Sequence, residues 1–355
     1  VGGVRVFRVD GNIQSAIDVQ PSIFWQSGQF TDFRVVGDIL ASGSIVSRFG
    51  DIQSMVVLGS VFGPVSCVQG AIRSLQITGD LAAQVKAGVA GGSAGLIESL
   101  SIGGAALRGQ QSEPDIFAPV GTIKSVQVAG DIGTPSNLVR IEWRGSPSDG
   151  ACELISGDSL HLSLNATDQN SEINRVFAGF GITGSLAFGK LGRTNAQSSL
   201  VISRDCTANI HIRGDVDAPM TIANLLATNS TITIGGKLLC PGGNCATPAV
   251  TLPIASGLRG QLVINAINDG REWFGNVRVG SLTLSQSAPY YTYPQSSTLF
   301  GGGAVGRVPF DLHVVDCSPA VARSIGVLTP PAMIPKIKPY SAPCAADPIR
   351  LMHYG

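Results

Sequence analysis

The densest group of side chains able to do acid–base chemistry lies in RDCTANIHIRGDVDAP, residues 204–219. It holds the carboxylates Asp205, Asp215 and Asp217, with His211 and Arg213 between them. Cleaving a polysaccharide requires carboxylates that face one another across a groove, one protonating the leaving oxygen and the other activating water or attacking the sugar. If the chain is an enzyme, Asp205, Asp215 and Asp217 are its catalytic candidates. The run YYTY supplies Tyr290, Tyr291 and Tyr293, and Trp273 precedes it. Such aromatic faces can stack on sugars, or equally cover the flank of a β structure. Metal chemistry finds no motif: the four His, at 161, 211, 313 and 353, lack ligand spacing, so no metal is expected. GGGAVG at 301–306 has neither a βαβ setting nor a following Lys and reads as a turn, so no cofactor is expected either.

Asp215 follows a glycine, and that pair recurs. FTDFRVVGDI at 30–39, IQSMVVLGSV at 52–61, IRSLQITGDL at 72–81, IESLSIGGAA at 97–106 and IKSVQVAGDI at 123–132 share one shape. Apolar and polar residues alternate, as in Leu75-Gln76-Ile77-Thr78, which is the period of a strand. Then comes Gly37-Asp38, Gly79-Asp80 or Gly130-Asp131, and later Gly214-Asp215. The glycine is expected to supply a bend or a positive φ, and the aspartate to satisfy local backbone donors, so all eight residues read as structural turn positions. The repeat therefore accounts for Asp215 without catalysis. Asp38, Asp80 and Asp131 sit at equivalent corners but alternate with Ser60 and Gly104. Two rungs of stacked strands span about 10 Å, too far to share one calcium ion.

The first apolar residues of these units are 20 to 26 positions apart, with no helical period. Units of that length predict a solenoid in which each coil pairs in parallel with those above and below. Phe33, Met55, Leu75, Leu100 and Val126 are expected to form one internal ladder, and Val35, Val57, Ile77, Ile102 and Val128 the next. Leucine-rich repeats share the period, but their Asn ladder and LxxLxL frame are missing. Regular rungs span 30–132, a less regular stretch 134–206, and rungs return over 207–316, so 1–317 reads as one β-helix. IHIRGDV at 210–216 and ITIGGKL at 232–238 match LQITGDL at 75–81 position for position. QQSEPDIFAP at 110–119 is expected to bulge as a corner loop, and Trp143 to serve as core or cap. Residues 318–355 form an extended, irregular tail, with six prolines in TPPAMIPKIKPYSAPCAADP.

Charged residues are only 14% of the chain, 24 basic against 24 acidic, and Gly reaches 45 of 355 residues. A neutral chain without basic runs has no electrostatic footprint for nucleic acid. Mean hydropathy is +0.26, yet every apolar run is broken within a few residues, so no membrane-spanning segment is expected. The opening VGGVRVFRVDG suggests a processed mature chain. Seven Cys are widely spread, leaving at least one thiol free or bonded to another chain. An oxidising, extracellular or cell-surface setting is expected, with Cys240–Cys245 and Cys317–Cys344 as the favoured bridges among several possible connectivities. Two N-x-[ST] sites, at Asn165 and Asn229, would matter only in a glycosylating host.

The I-x-S-[LMV]-x-[IV]-x-G-D coils resemble the right-handed, single-stranded parallel β-helix superfamily, which includes pectate lyases, polygalacturonases and many surface proteins. With GLRGQLVINAINDGREWFGNVRVGS and LFGGGAVGRVPFDLHVVDC they are also similar to large Gly-rich secreted bacterial proteins. The resemblance covers roughly 30–316 and implies an all-β fold, with right-handedness that also suits parallel crossovers in general. Two functions then compete. A secreted structural protein would assemble with copies of itself, end to end or laterally, into a filament, sheath or surface layer. A polysaccharide lyase or glycoside hydrolase would use the groove along one face, and an adhesin would hold extracellular polysaccharide on Trp273, Tyr290, Tyr291 and Tyr293. The scarcity of catalytic signals favours the structural protein.

Overall fold

A computed structural model describes residues 4–19, 30–89, 95–109, 112–145, 150–192, 198–223 and 230–235, with strand backbone also at 225–226, 248–251, 261–264, 276–279, 312–314 and 349–351. The chain divides into two compact units, Val1–Gly184 and Ser185–Gly355. All regular structure among the described residues is β, so no helix there is long or apolar enough to cross a membrane.

The first unit is a parallel β-solenoid. One face stacks β1 (Val4–Val9), β3 (Phe30–Val35), β5 (Met55–Val57), β7 (Leu75–Ile77), β9 (Leu100–Ile102) and β11 (Ser125–Val128). The other stacks β2 (Ala16–Val19), β4 (Ser44–Ser47), β6 (Val65–Cys67), β8 (Val85–Ala87), β10 (Ile116–Ala118) and β12 (Val139–Trp143). The long β13 (Leu154–Ala166) pairs with β11 at one end and with β12 at the other, completing a coil in a single strand. β14 (Glu172–Ile173) and β15 (Arg175–Phe188) follow.

Both expected ladders form. Phe33, Met55, Leu75, Leu100 and Val126 are partners in consecutive coils, as are Val35, Val57, Ile77, Ile102 and Val128. A third line of bridges joins Phe30, Ile52, Ile72, Ile97 and Ile123, which sets coil lengths of 22, 20, 25 and 26 residues. A fourth joins Ile39, Val61, Leu81, Ala106 and Ile132 just past the Gly-Asp corner. Nearly all of these side chains are fully buried, and each one larger than Ala106 contributes about 1.5–3 kcal/mol. No coil can bury its own face, because each inner side chain is covered by its equivalents one coil away.

The second face was not placed from sequence. Its inner ladder runs Ser47, Cys67, Ala87 on consecutive coils, then Ala118, Trp143 and Ala166. Trp143 is 2% exposed and fills the space between two alanines. The loop expected over 110–119 is interrupted by β10, whose Ile116, Phe117 and Ala118 are all buried. Ile116 and Ala118 face inward, while Phe117 faces outward beneath Lys86 Nζ (5.4 Å from the ring centroid) and the Arg144 guanidinium (5.7 Å). That cover erased the polar–apolar alternation by which a strand is recognised.

The second unit contains β16 (Lys190–Leu191), β17 (Ser199–Ile202), β18 (Asp205–Ile212), β19 (Met220–Ile222), β20 (Leu225–Leu226) and β21 (Thr231–Ile234). β22 (Pro248–Thr251), β23 (Gln261–Ile264), β24 (Asn276–Val279), β25 (Leu312–Val314) and β26 (Ile349–Leu351) complete it. The expected return of the register is present: Ile210 and Ile212 pair in parallel with Ile232 and Ile234. Within the stretch expected to be an irregular tail, β26 pairs antiparallel with β25.

Cys67, Cys152 and Cys206 are free, buried thiols. Burial, chiefly, pushes them up to about 12, 12 and 11. They remain unalkylated at pH 8 in the native protein and react once it is unfolded, as peptide mass mapping will show. Alkylation of Cys67 in the native state would contradict this packing.

Candidate functional site

The Gly-Asp corner has a different logic from the expected turn. Its amides and oxygens connect neighbouring coils. Gly79 N–H donates to Gly59 O at 3.0 Å, Gly104 N–H to Gly79 O at 3.0 Å, and Gly130 N–H to Gly104 O at 3.0 Å. The side chain beside each glycine receives the amide of its counterpart one coil later. Asn12 Oδ1 accepts from Asp38 N (2.9 Å), Asp38 Oδ1 from Ser60 N (2.7 Å), Ser60 Oγ from Asp80 N (3.0 Å) and Asp80 Oδ1 from Ala105 N (2.7 Å). Ala105 has no oxygen to pass on, and the series resumes where Asp131 Oδ1 accepts from Ser159 N at 2.9 Å. Asp51 Oδ1 does the same for Ala71 N (2.7 Å) at another corner.

The corner glycines sit at bends, one of the two expected alternatives, but the reason for glycine and the donor that the aspartate meets both differ from expectation. Among the described residues the glycines at positive φ are Gly88, Gly133, Gly150 and Gly184, none of them at these corners. Glycine is required because a Cβ at Gly37, Gly59, Gly79 or Gly104 would collide with the side-chain oxygen handed over from Asn12, Asp38, Ser60 or Asp80. The donor that each aspartate satisfies is likewise on the next coil rather than local. Asp38 and Asp80 spend one oxygen each in this way, and no group of three or more His, Cys, Asp or Glu among the described residues is arranged to hold a metal.

The catalytic candidates flank a single strand. Asp205 opens β18, and Asp215 and Asp217 follow its far end. Asp205 pairs with Leu225 on β20, while the far end of β18, next to Asp215 and Asp217, pairs with β21. Gly214 N–H donates to Gly189 O at 2.6 Å, the corner pattern again, and Asp217 N–H donates to Leu191 O at 2.9 Å. His211 lies on the exposed face of β18. Trp273, Tyr290, Tyr291 and Tyr293, and Cys240, Cys245, Cys317 and Cys344, lie outside the described residues.

The structure instead brings together a charged cluster drawn from residues 84–144. Asp115, whose side chain is 3% exposed, accepts Gly109 N–H on Oδ1 (3.0 Å) and Arg140 N–H on Oδ2 (2.8 Å), with Arg140 Nε at 3.9 Å. Arg140 Nη1 donates to Ser112 O at 2.8 Å, and Nη2 donates to Glu113 O. Lys86 Nζ holds both oxygens of Glu113 (3.0 and 2.7 Å), while Gln84 Nε2 donates to Pro114 O at 2.9 Å. The Gly109 contact closes the excursion between β9 and β10 on itself, and the others fasten it to the second face. The cluster is a latch, its chemistry consumed in holding backbone.

Burial raises the Asp115 carboxyl, against the pull of the two amides and of Arg140 and Arg108. The Lys86 hydrogen bond, foremost, lowers Glu113. A raised carboxyl contributes stability that is present below its unfolded pKa of 3.8 and is lost as pH rises through the folded value. Asp115→Asn has one acceptor for two amides and loses about 1–3 kcal/mol in urea unfolding. Its deficit against wild type narrows as pH rises past 3.8. A deficit that widens instead would mean that Arg140 outweighs burial. No family model, curated protein or solved structure matches this chain.

Proposed function

We propose that the chain is a structural β-solenoid, exported to the cell surface or the extracellular medium, that assembles with copies of itself into a filament, sheath or surface layer. One observation carries this reading. The polar groups that recur along the described chain are spent on binding one coil to the next, a job that continues wherever another coil is offered. Low charge and abundant Gly suit close contact between copies. The setting and the bridges Cys240–Cys245 and Cys317–Cys344 belong to the proposal, and non-reducing peptide mapping of the secreted protein tests the bridges.

Negative-stain electron microscopy of purified protein at neutral pH tests the function. Regular filaments or sheets are expected. Dispersed single particles at every concentration would overturn it, and the carboxylates would then be tested as catalysts by screening polysaccharides against Asp205→Asn, Asp215→Asn and Asp217→Asn.

A further inference from the structure

We infer that Lys124 and Asn174 are joined by an intramolecular isopeptide bond, with Glu153 between them as the proton carrier. The bond lies within the first unit and is independent of the assembly reading.

The three residues occupy one place in three successive coils. Lys124 follows Ile123, Glu153 follows Cys152 and Asn174 follows Ile173. The register carries this through: Ser125 pairs with Leu154 in β13, and Cys152 bridges Ile173. Glu153 N–H donates to Lys124 O at 2.6 Å, and Asn174 N–H donates to Cys152 O at 2.8 Å. The same line runs through Arg73 and Glu98 in earlier coils, where Arg73 Nη1 reaches Glu98 Oε2 at 3.3 Å. Side chains in this line therefore meet their counterparts one coil away.

Asn174 is the buried member of the line, 0% exposed, and its Nδ2 donates to Glu153 Oε2 at 2.8 Å. That contact sets a carboxyl group against the nitrogen that must leave when an amide is exchanged. Lys124 comes from the coil on the opposite side of Glu153. A Cβ at Gly150 would lie 3.7 Å from Lys124 Cε, so the lysine stem leans onto the coil that carries Glu153. Two coil steps separate the backbones of Lys124 and Asn174 by about 10 Å. The four-carbon stem of a lysine and the single methylene of an asparagine together span about that distance.

Glu153 takes a proton from the Lys124 ammonium, and the neutral amine attacks Asn174 Cγ. The Nζ–Cγ bond forms as the carbonyl electron pair moves onto Oδ1. Glu153 gives its proton to Nδ2 and takes the second from Nζ. The electron pair returns from Oδ1, the Cγ–Nδ2 bond breaks and ammonia departs, recovering the last proton from Glu153 as ammonium. One amide replaces another, so the balance calls for no oxidant or reductant. Burial of Asn174 keeps water from competing with the amine, while Glu153 opens to solvent and gives ammonia its way out. The product ties three coils together and closes the chain from 124 to 174, which restricts the unfolded state as a disulfide does.

Intact mass spectrometry of the purified, reduced full chain is the test. Wild type is expected to be lighter than its sequence by one ammonia, and trypsin to leave 109–140 joined to 145–175, uncut at Lys124. Glu153→Gln still accepts the Asn174 amide but carries no proton, and Lys124→Arg removes the nucleophile. Both are expected to keep the full sequence mass, yield separate peptides and melt at a lower temperature than wild type. Wild type at full sequence mass, with trypsin cutting after Lys124, would overturn the bond. Glu153→Gln joined as completely as wild type would overturn the part given to Glu153.

Discussion

Trp143→Ala lowers the unfolding free energy by about 3–5 kcal/mol, the usual cost of deleting a large aromatic from a core. Among the described residues, Trp143 is the largest of the fully buried side chains. Its ladder neighbours are Ala118 and Ala166, so two small side chains in adjacent coils leave the room that one large one fills. Alanine at 143 would put four in succession, from Ala87 to Ala166, and leave a cavity between strands whose backbones are tied by parallel hydrogen bonds and cannot close in. The loss is measured by urea unfolding followed by circular dichroism, at unchanged slope. Trp143→Phe recovers part of it. A loss below about 1 kcal/mol would mean that the second face is loosely packed and the coil register is wrong there.

Gly79→Val is the second large effect, expected at about 2–5 kcal/mol from overpacking and a displaced amide together. A Cβ at Gly79 would meet Ser60 Oγ and the carbonyl group of Gly59. Moving Gly79 away breaks its amide bond to Gly59 O (3.0 Å), and moving Ser60 away takes its Oγ from Asp80 N (3.0 Å). No accommodation spares both. The double variant Ser60→Ala/Gly79→Ala separates the causes: removing the oxygen relieves one clash and leaves the backbone one, so it should fall between Gly79→Ala and wild type plus the lost Ser60 bond. If Gly79→Val unfolds like wild type, glycine at the corners has some other reason.

The first face of the solenoid was legible because its chemistry is written locally. Alternation in FRV, LQI, LSI and VQV, with MVV in the equivalent place and a glycine corner after each, sets both the ladder and the register, and a slip by one residue would expose every inner side chain. The second face is built of VSC, VKA and IFA, too short to show a period and, in IFA, lacking a polar residue because Phe117 is covered by cations. The corner's purpose was hidden for another reason. Asp38 and the amide it receives, on Ser60, belong to different coils, so Gly-Asp read alone resembles an ordinary turn. The same distance in sequence concealed the latch of Lys86, Glu113, Asp115 and Arg140. Asp205, Asp215 and Asp217 are close in the chain, and the structure places Asp205 at the start of β18 and the other two past its far end.

Fibre diffraction from aligned assemblies tests the central claim most directly, that coil stacking runs on from one copy into the next. Strands in the coils lie across the stacking direction with a repeat of about 4.8 Å. The account predicts a reflection at about 4.8 Å along the filament axis. The same reflection perpendicular to the axis would show that copies join by their sides and contradict it.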